Sequence, residues 1–260
     1  MIDYAVDSKQ TLSPHSNTLA SSTSFSKLIS VPYKSDRFGI FSSAFTMYSL
    51  LLSALLVALV RFISASPLQE ASCDASVLKT CYTKYLSFFL ETAVPLSPFV
   101  EYATNRAVYL DQNAVPGQKN VCQWQHDLED CLGHNLNLCM TTPAFEGAMG
   151  VSMTEAVEYQ TDFHIQQYQC GAGRDVLLNN FYCLHSTRRE EIDKFQACDR
   201  QLHDSIRKGF KCTYYNTDIN CERTIYTNSC GQGVSKFTCE SKKVSIQANT
   251  NVCDYTLLQC

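Results

Sequence analysis

The sequence predicts a mainly α-helical, disulfide-rich extracellular domain, with several amphipathic helices and an irregular C-terminal part that can include short strands. Three observations support this prediction. All 14 cysteines lie between residues 73 and 260. An uncharged apolar segment precedes them at residues 38–60. Apolar residues recur at steps of three and four in several stretches, which is the period of an amphipathic helix.

The cysteine spacing favours disulfides over metal sites. The closest two cysteines, Cys253 and Cys260, are seven residues apart. Neither a short zinc knuckle nor a C-x-x-C redox motif occurs, so we expect no metal and no cofactor. We predict instead that an oxidising compartment pairs all of the cysteines. These are Cys73, Cys81, Cys122, Cys131, Cys139, Cys170, Cys183, Cys198, Cys212, Cys221, Cys230, Cys239, Cys253 and Cys260.

The N-terminal part of the chain differs in composition from the rest. Residues 1–37 are rich in Ser, Thr and Lys and lack apolar periodicity, so we predict a disordered polar tail. Residues 38–65 follow as a signal peptide or a signal-anchor. Within them, residues 38–60 carry no charge and are long enough to cross a bilayer.

This apolar segment has two interpretations. Starting from Met47, it is a signal peptide cleaved near Ala65, and the protein is secreted. Starting from the first residue, it is an anchor with Arg37 on the cytoplasmic side, and residues 38–60 hold a single-pass protein in the membrane. Both interpretations place the cysteine-rich part outside the cytoplasm.

The folded part begins with two predicted helices. Asp74 can cap a helix that runs to about Leu90. Several prolines, including the Pro116-Gly117 pair, predict a loop over residues 91–120. A second helix is predicted over residues 118–140, with Gly133 as its weak point. Because the cysteines of that helix are eight or nine residues apart, they cannot bond to one another within a straight helix and should link it to other elements.

Another helix is predicted to start at a capping box formed by Thr187 and Glu190. Its apolar stripe includes Phe195 and Cys198, so we expect Cys198 to be buried and bonded. The run of Arg188, Arg189 and two glutamates beside that start is predicted to be solvated. From Cys212 onward, polar residues and cysteines spaced nine apart predict irregular loops or short strands held by disulfides. Residues 171–173, Gly-Ala-Gly, are predicted to form a tight turn next to Cys170.

Residues 66–260 are predicted to form one cysteine-rich domain with two disulfide-linked lobes, at about residues 66–140 and 170–260. Five cysteines precede the cysteine-free stretch and nine follow it. Because both numbers are odd, complete pairing within the chain requires at least one disulfide that joins the lobes.

No catalytic site is predicted. His126 and Asp127 resemble the His-Asp pair of secreted phospholipases, but the paired cysteines and the upstream glycine-rich calcium loop of that family are missing. We expect His126 and His134 to be surface residues on a helix. A hydrolase of phospholipase type that uses His126 stays as the alternative function.

Charge limits the class of partner. From Ser66 onward the chain has 16 Lys and Arg against 22 Asp and Glu, a net charge of −6. Such an acidic domain does not suit nucleic acid, which is bound mainly by neutralising phosphates. We expect an extracellular protein or a small ligand as the partner, although neither can be identified from the sequence.

The cysteine pattern resembles the secreted cysteine-rich proteins expanded in nematodes, whose shared domain has no known function. Three features carry the resemblance: the pair Cys73 and Cys81, a helix with cysteines eight or nine apart at Cys122, Cys131 and Cys139, and the block from Cys170 to the terminal cysteine. The resemblance covers residues 73–260 and implies a helical, disulfide-linked extracellular domain. It implies no catalytic residues.

The leading functional hypothesis is therefore a non-enzymatic protein, secreted or tethered to the membrane, that acts as a binding or structural module. Besides the hydrolase alternative, a third hypothesis is a small-ligand carrier with an apolar cavity, which requires that the helices enclose a space.

Overall fold

A computed structural model describes residues 72–91 and 97–260. These residues are mainly helical and contain no strand, and they include seven disulfides, which confirms the predicted fold class. The predicted tail (1–37) and the predicted signal peptide or anchor (38–65) lie outside the described residues. None of the helices in the described part is both long and apolar enough to cross a membrane.

Ten α-helices form the described part of the chain. They are α1 (Ala75–Leu86), α2 (Phe99–Leu132), α3 (Leu136–Cys139), α4 (Thr142–Met149), α5 (Met153–Cys170), α6 (Arg174–Asn179), α7 (Phe181–Glu190), α8 (Ile192–Arg207), α9 (Cys212–Cys230) and α10 (Ser235–Asn249). Two short 3₁₀ turns precede α3 and α10, at Gly133–Asn135 and Gln232–Val234.

Helix α1 begins where its cap was predicted. The Asp74 carboxylate accepts hydrogen bonds from the backbone N–H groups of Ser76 and Val77, which satisfies two donors that the first turn leaves unpaired. The helix ends at Leu86, four residues before the predicted end at Leu90.

The predicted loop over residues 91–120 is wrong, because α2 already begins at Phe99. The helix is interrupted once, at Ala114, where φ is 47° and ψ is −136°. Pro116 follows this break, in the first turn of the next helical segment, where a missing N–H is tolerated and the fixed φ suits a helix. The proline therefore marks a restart of the helix. Gly133 ends α2 with a positive φ of 51°, as its predicted weakness indicated.

The predicted irregular C-terminal part is also wrong, because α9 and α10 are regular helices. Nine residues make two and a half helical turns, so cysteines at that spacing lie on opposite faces of a helix. Cys221 of α9 accordingly bonds to Cys198 of α8, whereas Cys212 and Cys230, on the other face, bond to Cys253 and Cys183. These disulfides and the packing outweigh the weak helix propensity of the Thr and Asn residues in α9.

The capping box predicted at Thr187 is wrong. Thr187 lies inside α7 with its side chain buried, and α8 starts only after Glu191. The T-x-x-E spacing also occurs within helices, so the pattern alone does not mark a helix start. A capping box is formed instead at the start of α5, between Ser152 and Glu155.

The N-terminal half of the described part packs α1, α2, α4 and α5 around a cluster of aromatic side chains. Tyr82, Tyr102, Phe145 and Tyr159 are nearly or completely buried. Tyr82 meets Phe145 and Tyr159 edge to face, at centroid distances of 4.9 Å and 5.9 Å. This geometry is the favoured one for aromatic pairs and gives this half a solid core.

Helix α5 is common to both halves. It packs against α2 and α4 on the N-terminal side and against α10 on the C-terminal side. The cysteine-free stretch between the predicted lobes thus forms α4 and most of α5. In the C-terminal half, α9 packs against α7, α8 and α10.

All 14 cysteines are paired, and none is free. Two disulfides lie within the N-terminal half, Cys73–Cys139 and Cys81–Cys131. Four lie within the C-terminal half: Cys183–Cys230, Cys198–Cys221, Cys212–Cys253 and Cys239–Cys260. The disulfide Cys122–Cys170 crosses the cysteine-free stretch and ties α2 to the end of α5.

Candidate functional site

A cavity of about 410 Å³ lies among helices α5 to α10. Aliphatic side chains form part of its lining: Val157, Ile165, Leu177 and Leu184. Hydroxyl groups form another part: Thr161, Thr238, Ser241 and Ser245. The rings of Tyr226 and Phe237 also line it. The cavity therefore offers both apolar and hydrogen-bonding surface.

The turn after α5 shapes one wall of this cavity. Residues 171–173 form the tight turn predicted there, and Cys170 just before it is held by its disulfide to α2. A Cβ atom on Gly173 would lie only 2.9 Å from the Phe237 ring. The glycine therefore lets the turn pack directly under the aromatic ring that lines the cavity.

A cluster of charged side chains borders the cavity; we call it the Lys242 cluster, and it consists of Lys242, Asp199 and Glu222 of the lining together with Asp218. Lys242 of α10 donates a hydrogen bond to Glu222 of α9. Its Nζ lies 3.0 Å from Asp218 Oδ2 and 3.7 Å from Asp199 Oδ1. One ammonium group therefore faces three carboxylates from two other helices.

Burial and charge act in opposite directions within this cluster. Burial raises the pKa of Asp218 despite the nearby Lys242 ammonium. For Glu222, burial is outweighed by Lys242 and Arg188, which lower its pKa. Burial also disfavours the charge of Lys242, but Glu222 and Asp218 raise its pKa overall. Lys242 is thus charged at neutral pH, and Glu222 is its firmest partner.

Asp218 is the least satisfied member of the Lys242 cluster. Its side chain is completely buried. Its Oδ1 atom has no hydrogen-bond partner among the described residues. A buried carboxylate oxygen without a partner costs free energy, so this site is not optimised for stability.

Arg188 corrects the prediction of a solvated charge run. Its guanidinium group lies over the Phe195 ring, 4.2 Å from the centroid. Its positive charge acts on both Glu222 and Tyr226, and burial raises the pKa of Tyr226 to about 12. Arg189, in contrast, is 68% exposed, as predicted. Arg188 itself is one of the residues that line the cavity.

The N-terminal half buries a different ion cluster. Arg106 forms a two-pronged salt bridge with Asp162, with both N–O distances at 2.6 Å. The Tyr102 hydroxyl donates to the same carboxylate at 3.0 Å and lies 2.9 Å from the Tyr85 hydroxyl. All four side chains are buried. Because they satisfy one another, this cluster has a structural role.

The predicted site residue His126 lies on an exposed face of α2. Its Nδ1 atom is 4.0 Å from a carboxylate oxygen of Glu129. The neighbouring Asp127 accepts a hydrogen bond from Gln123. His134 is also exposed, in the 3₁₀ turn. Among the described residues, the group of side chains close enough to share a metal is Asp199, Asp218 and Glu222, and it does not include His126.

The Lys242 cluster was missed at the sequence level. Asp218 and Glu222 are four residues apart, which places them on one face of a helix. That spacing carried no information while the segment was predicted to be irregular. The approach of Lys242 and Asp199 depends on the packing of three helices, which no local pattern encodes.

No protein-family model, curated protein or solved structure matches this chain. The resemblance to the nematode cysteine-rich family therefore stays a prediction. The cavity and the Lys242 cluster are the features from which a function can be argued.

Proposed function

We propose that this protein is an extracellular binding module, secreted or tethered to the membrane, that holds a small amphipathic molecule in the cavity among α5 to α10. The cavity is the observation that carries this proposal. Seven disulfides support the extracellular setting, since bonds of this density are typical of oxidising compartments. The proposal combines the predicted binding module with the predicted ligand carrier.

The size and lining of the cavity fit a small organic molecule. Ligand sites usually enclose roughly 300–1,000 Å³ and combine apolar walls with a few polar groups. The cavity has about 410 Å³ and joins aliphatic residues such as Leu177 and Leu184 to hydroxyls and charges. An amphipathic ligand can place its apolar body against the first set and its polar head near the second.

Disulfides fix the walls of the cavity before any ligand binds. Cys198–Cys221 joins α8 to α9, and Cys183–Cys230 joins α7 to α9. Cys122–Cys170 fixes the end of α5. A ligand that enters a preformed site orders few further residues, so less of its binding free energy is lost to entropy.

A neutral fluorescent probe tests this proposal on the full chain with its disulfides intact. N-phenyl-1-naphthylamine, which brightens in apolar surroundings, is titrated against the unmodified protein and two variants. Ser245→Trp places an indole in the cavity lining, whereas Ser229→Trp makes the same change at an exposed position of α9. We expect saturable binding that Ser245→Trp weakens at least tenfold and Ser229→Trp leaves unchanged.

Two results would overturn the proposal. One is the absence of saturable probe binding to the unmodified protein. The other is equal binding to both variants, which would place the probe outside the cavity. Far-UV circular dichroism and a count of free thiols establish that each variant is folded and fully oxidised.

A further inference from the structure

We infer that the cavity selects amphipathic molecules with a cationic head, such as a long-chain primary amine, over their neutral and anionic counterparts. This inference rests on the proposed function and adds the charge of the ligand to it. It follows from the balance of charges around the cavity, the acceptor capacity of the Asp199 carboxylate, and the aromatic and aliphatic residues that also line the cavity.

Negative charge exceeds positive charge in the cavity lining. Glu158, Asp199 and Glu222 contribute carboxylates, whereas Lys242 and Arg188 contribute the two permanent cations. With three negative charges against two positive ones, and with His203 of the lining counted as neutral, the net charge is −1. Asp218, buried directly beside Lys242, adds to the negative side when it is ionised. Charges interact more strongly in such a partly desolvated space than in water, so an incoming cation is favoured.

Both cations of the lining already have partners. Lys242 is committed to Glu222 and Asp218. Arg188 lies over Phe195 with Glu222 nearby. A ligand carboxylate would have to break these buried interactions to find a donor and would meet the excess negative charge as well.

Asp199 is a carboxylate of the lining with acceptor capacity to spare, whereas the buried Asp218 is not among the lining residues. Its Oδ1 atom is 3.7 Å from Lys242 Nζ, which is beyond hydrogen-bond distance. Its side chain is 42% exposed, so it stays accessible from the cavity. An ammonium head placed here would make charge-assisted hydrogen bonds without displacing Lys242.

The remaining walls suit the rest of such a ligand. Tyr226 and Phe237 present aromatic rings to the same cavity, and aromatic faces attract cations. Ile165, Leu177 and Leu184 provide aliphatic surface for a hydrocarbon chain. The same cavity therefore contains a carboxylate for the head, aromatic rings and aliphatic side chains for the tail.

A set of three ligands that differ only in the head group tests this inference. Dodecylamine, dodecanol and dodecanoate are used below their micellar concentrations to displace N-phenyl-1-naphthylamine from the full, oxidised chain at pH 7. We expect dodecylamine to compete at least tenfold better than dodecanol, and dodecanoate to compete worst. Equal competition by all three would overturn the inference while the proposed function stands, because the probe still binds.

A matched pair of variants locates the head group. Asp199→Asn removes the charge of the free carboxylate, and Asp204→Asn removes an exposed charge from the same helix, with a side chain that is 66% exposed. We expect Asp199→Asn to reduce the advantage of dodecylamine over dodecanol at least tenfold, with each competition constant corrected for the probe affinity measured in the same variant. Asp204→Asn should leave the advantage intact. An unchanged advantage in Asp199→Asn would contradict the assigned position.

Two further measurements separate the remaining outcomes. Calcium chloride at millimolar concentration should not displace dodecylamine, since the carboxylates that could hold a metal surround Lys242. Displacement by calcium would indicate a metal-ion site in place of an amine site.

Isothermal titration with dodecylamine needs no fluorescent probe. The absence of both probe binding and titration heat would overturn the inference and the proposed function together.

Discussion

Each half of the molecule buries a cluster of charges, but the two clusters are built differently. In the N-terminal half, Arg106 and Asp162 neutralise each other, and two tyrosine hydroxyls complete their hydrogen bonds. In the C-terminal half, Lys242 is the counter-ion of three carboxylates, and one oxygen of Asp218 has no hydrogen-bond partner among the described residues. The first cluster is enclosed by the aromatic core, whereas the second borders a cavity.

This difference separates a cluster with a structural role from one that can take part in the proposed binding. A buried ion pair that is fully hydrogen-bonded fixes the geometry of a core and offers nothing to a ligand. In the second cluster the charges are incompletely paired and negative charge is in excess. Beside a cavity, such an excess of one charge is available to a ligand of the opposite charge. Substitutions in the two clusters should therefore differ in size and in pH dependence.

The largest effect is expected from Asp162→Asn. The substitution leaves the Arg106 guanidinium buried without its counter-charge, and breaking such a buried pair typically costs about 3–5 kcal/mol. Denaturation with guanidinium chloride, followed by far-UV circular dichroism with the disulfides intact, measures the free energy of unfolding.

The control for this prediction replaces both charges. In the double variant Arg106→Met, Asp162→Leu no charge is left buried, so most of the lost stability should return. If Asp162→Asn alone unfolded at the wild-type midpoint, the N-terminal cluster would not have the structural role that separates it from the Lys242 cluster.

A smaller effect is expected from Lys242→Met. It removes the shared cation of three carboxylates, but the Lys242 and Asp199 side chains are 17% and 42% exposed, so we expect a loss of about 2 kcal/mol at pH 7. Burial then raises the carboxyl pKa values without opposition from Lys242. A carboxyl group whose pKa is higher in the folded than in the unfolded chain stabilises the fold at low pH. This contribution is lost as the pH increases through the folded pKa. The deficit of the variant should therefore be smaller at pH 4 than at pH 7.

The same denaturation experiment at the two pH values measures this deficit. Lys243→Met is the matched control, since its ammonium group is 4.0 Å from Glu240 and is not part of the Lys242 cluster. A deficit that grew toward pH 4 would contradict the assignment of Lys242 as the counter-ion of buried carboxylates.

The smallest effect is expected from Asp218→Asn. Burial raises the pKa of Asp218 above its value in the unfolded chain. Its contribution to stability is therefore fully present below the unfolded pKa and is lost as pH increases through the folded pKa. At pH 7 its loss should change the free energy of unfolding by less than about 1 kcal/mol. The free energy of unfolding of the variant, relative to that of the wild type, should be higher at pH 7 than at pH 4. Denaturation curves of both proteins at the two pH values measure this difference. A loss as large as that of Asp162→Asn would remove the contrast between the clusters.

Local signals in the sequence predicted what local interactions decide. The Asp74 cap, the weak point at Gly133 and the burial of Cys198 were all predicted and are confirmed. Each of these depends on residues within a few positions of one another. The predicted fold class was confirmed for the same reason, since it needs only helical periods and cysteine spacing.

Features that depend on packing were missed. The prolines at 98 and 116 favour a loop by local rules, yet the first precedes α2 and the second restarts it after the break at Ala114. Helix α9 is rich in residues with low helix propensity and is held by disulfides to partners far along the chain. The Lys242 cluster could not be predicted at all, because it requires the relative positions of α8, α9 and α10.

The alternating cysteines of α9 have a mechanical consequence. They fasten this helix near its start, its middle and its end, with the middle bond on the opposite side from the other two. A screw motion or an axial slip of α9 would strain at least one of these three bonds. Glu222 and Tyr226 lie between the second and third of these disulfides. Their positions along α9 and their orientation around its axis are therefore the same whether the cavity is empty or filled. This wall is fixed once its disulfides form during oxidative folding, so under the proposed function any adjustment to a ligand is left to the other helices that line the cavity.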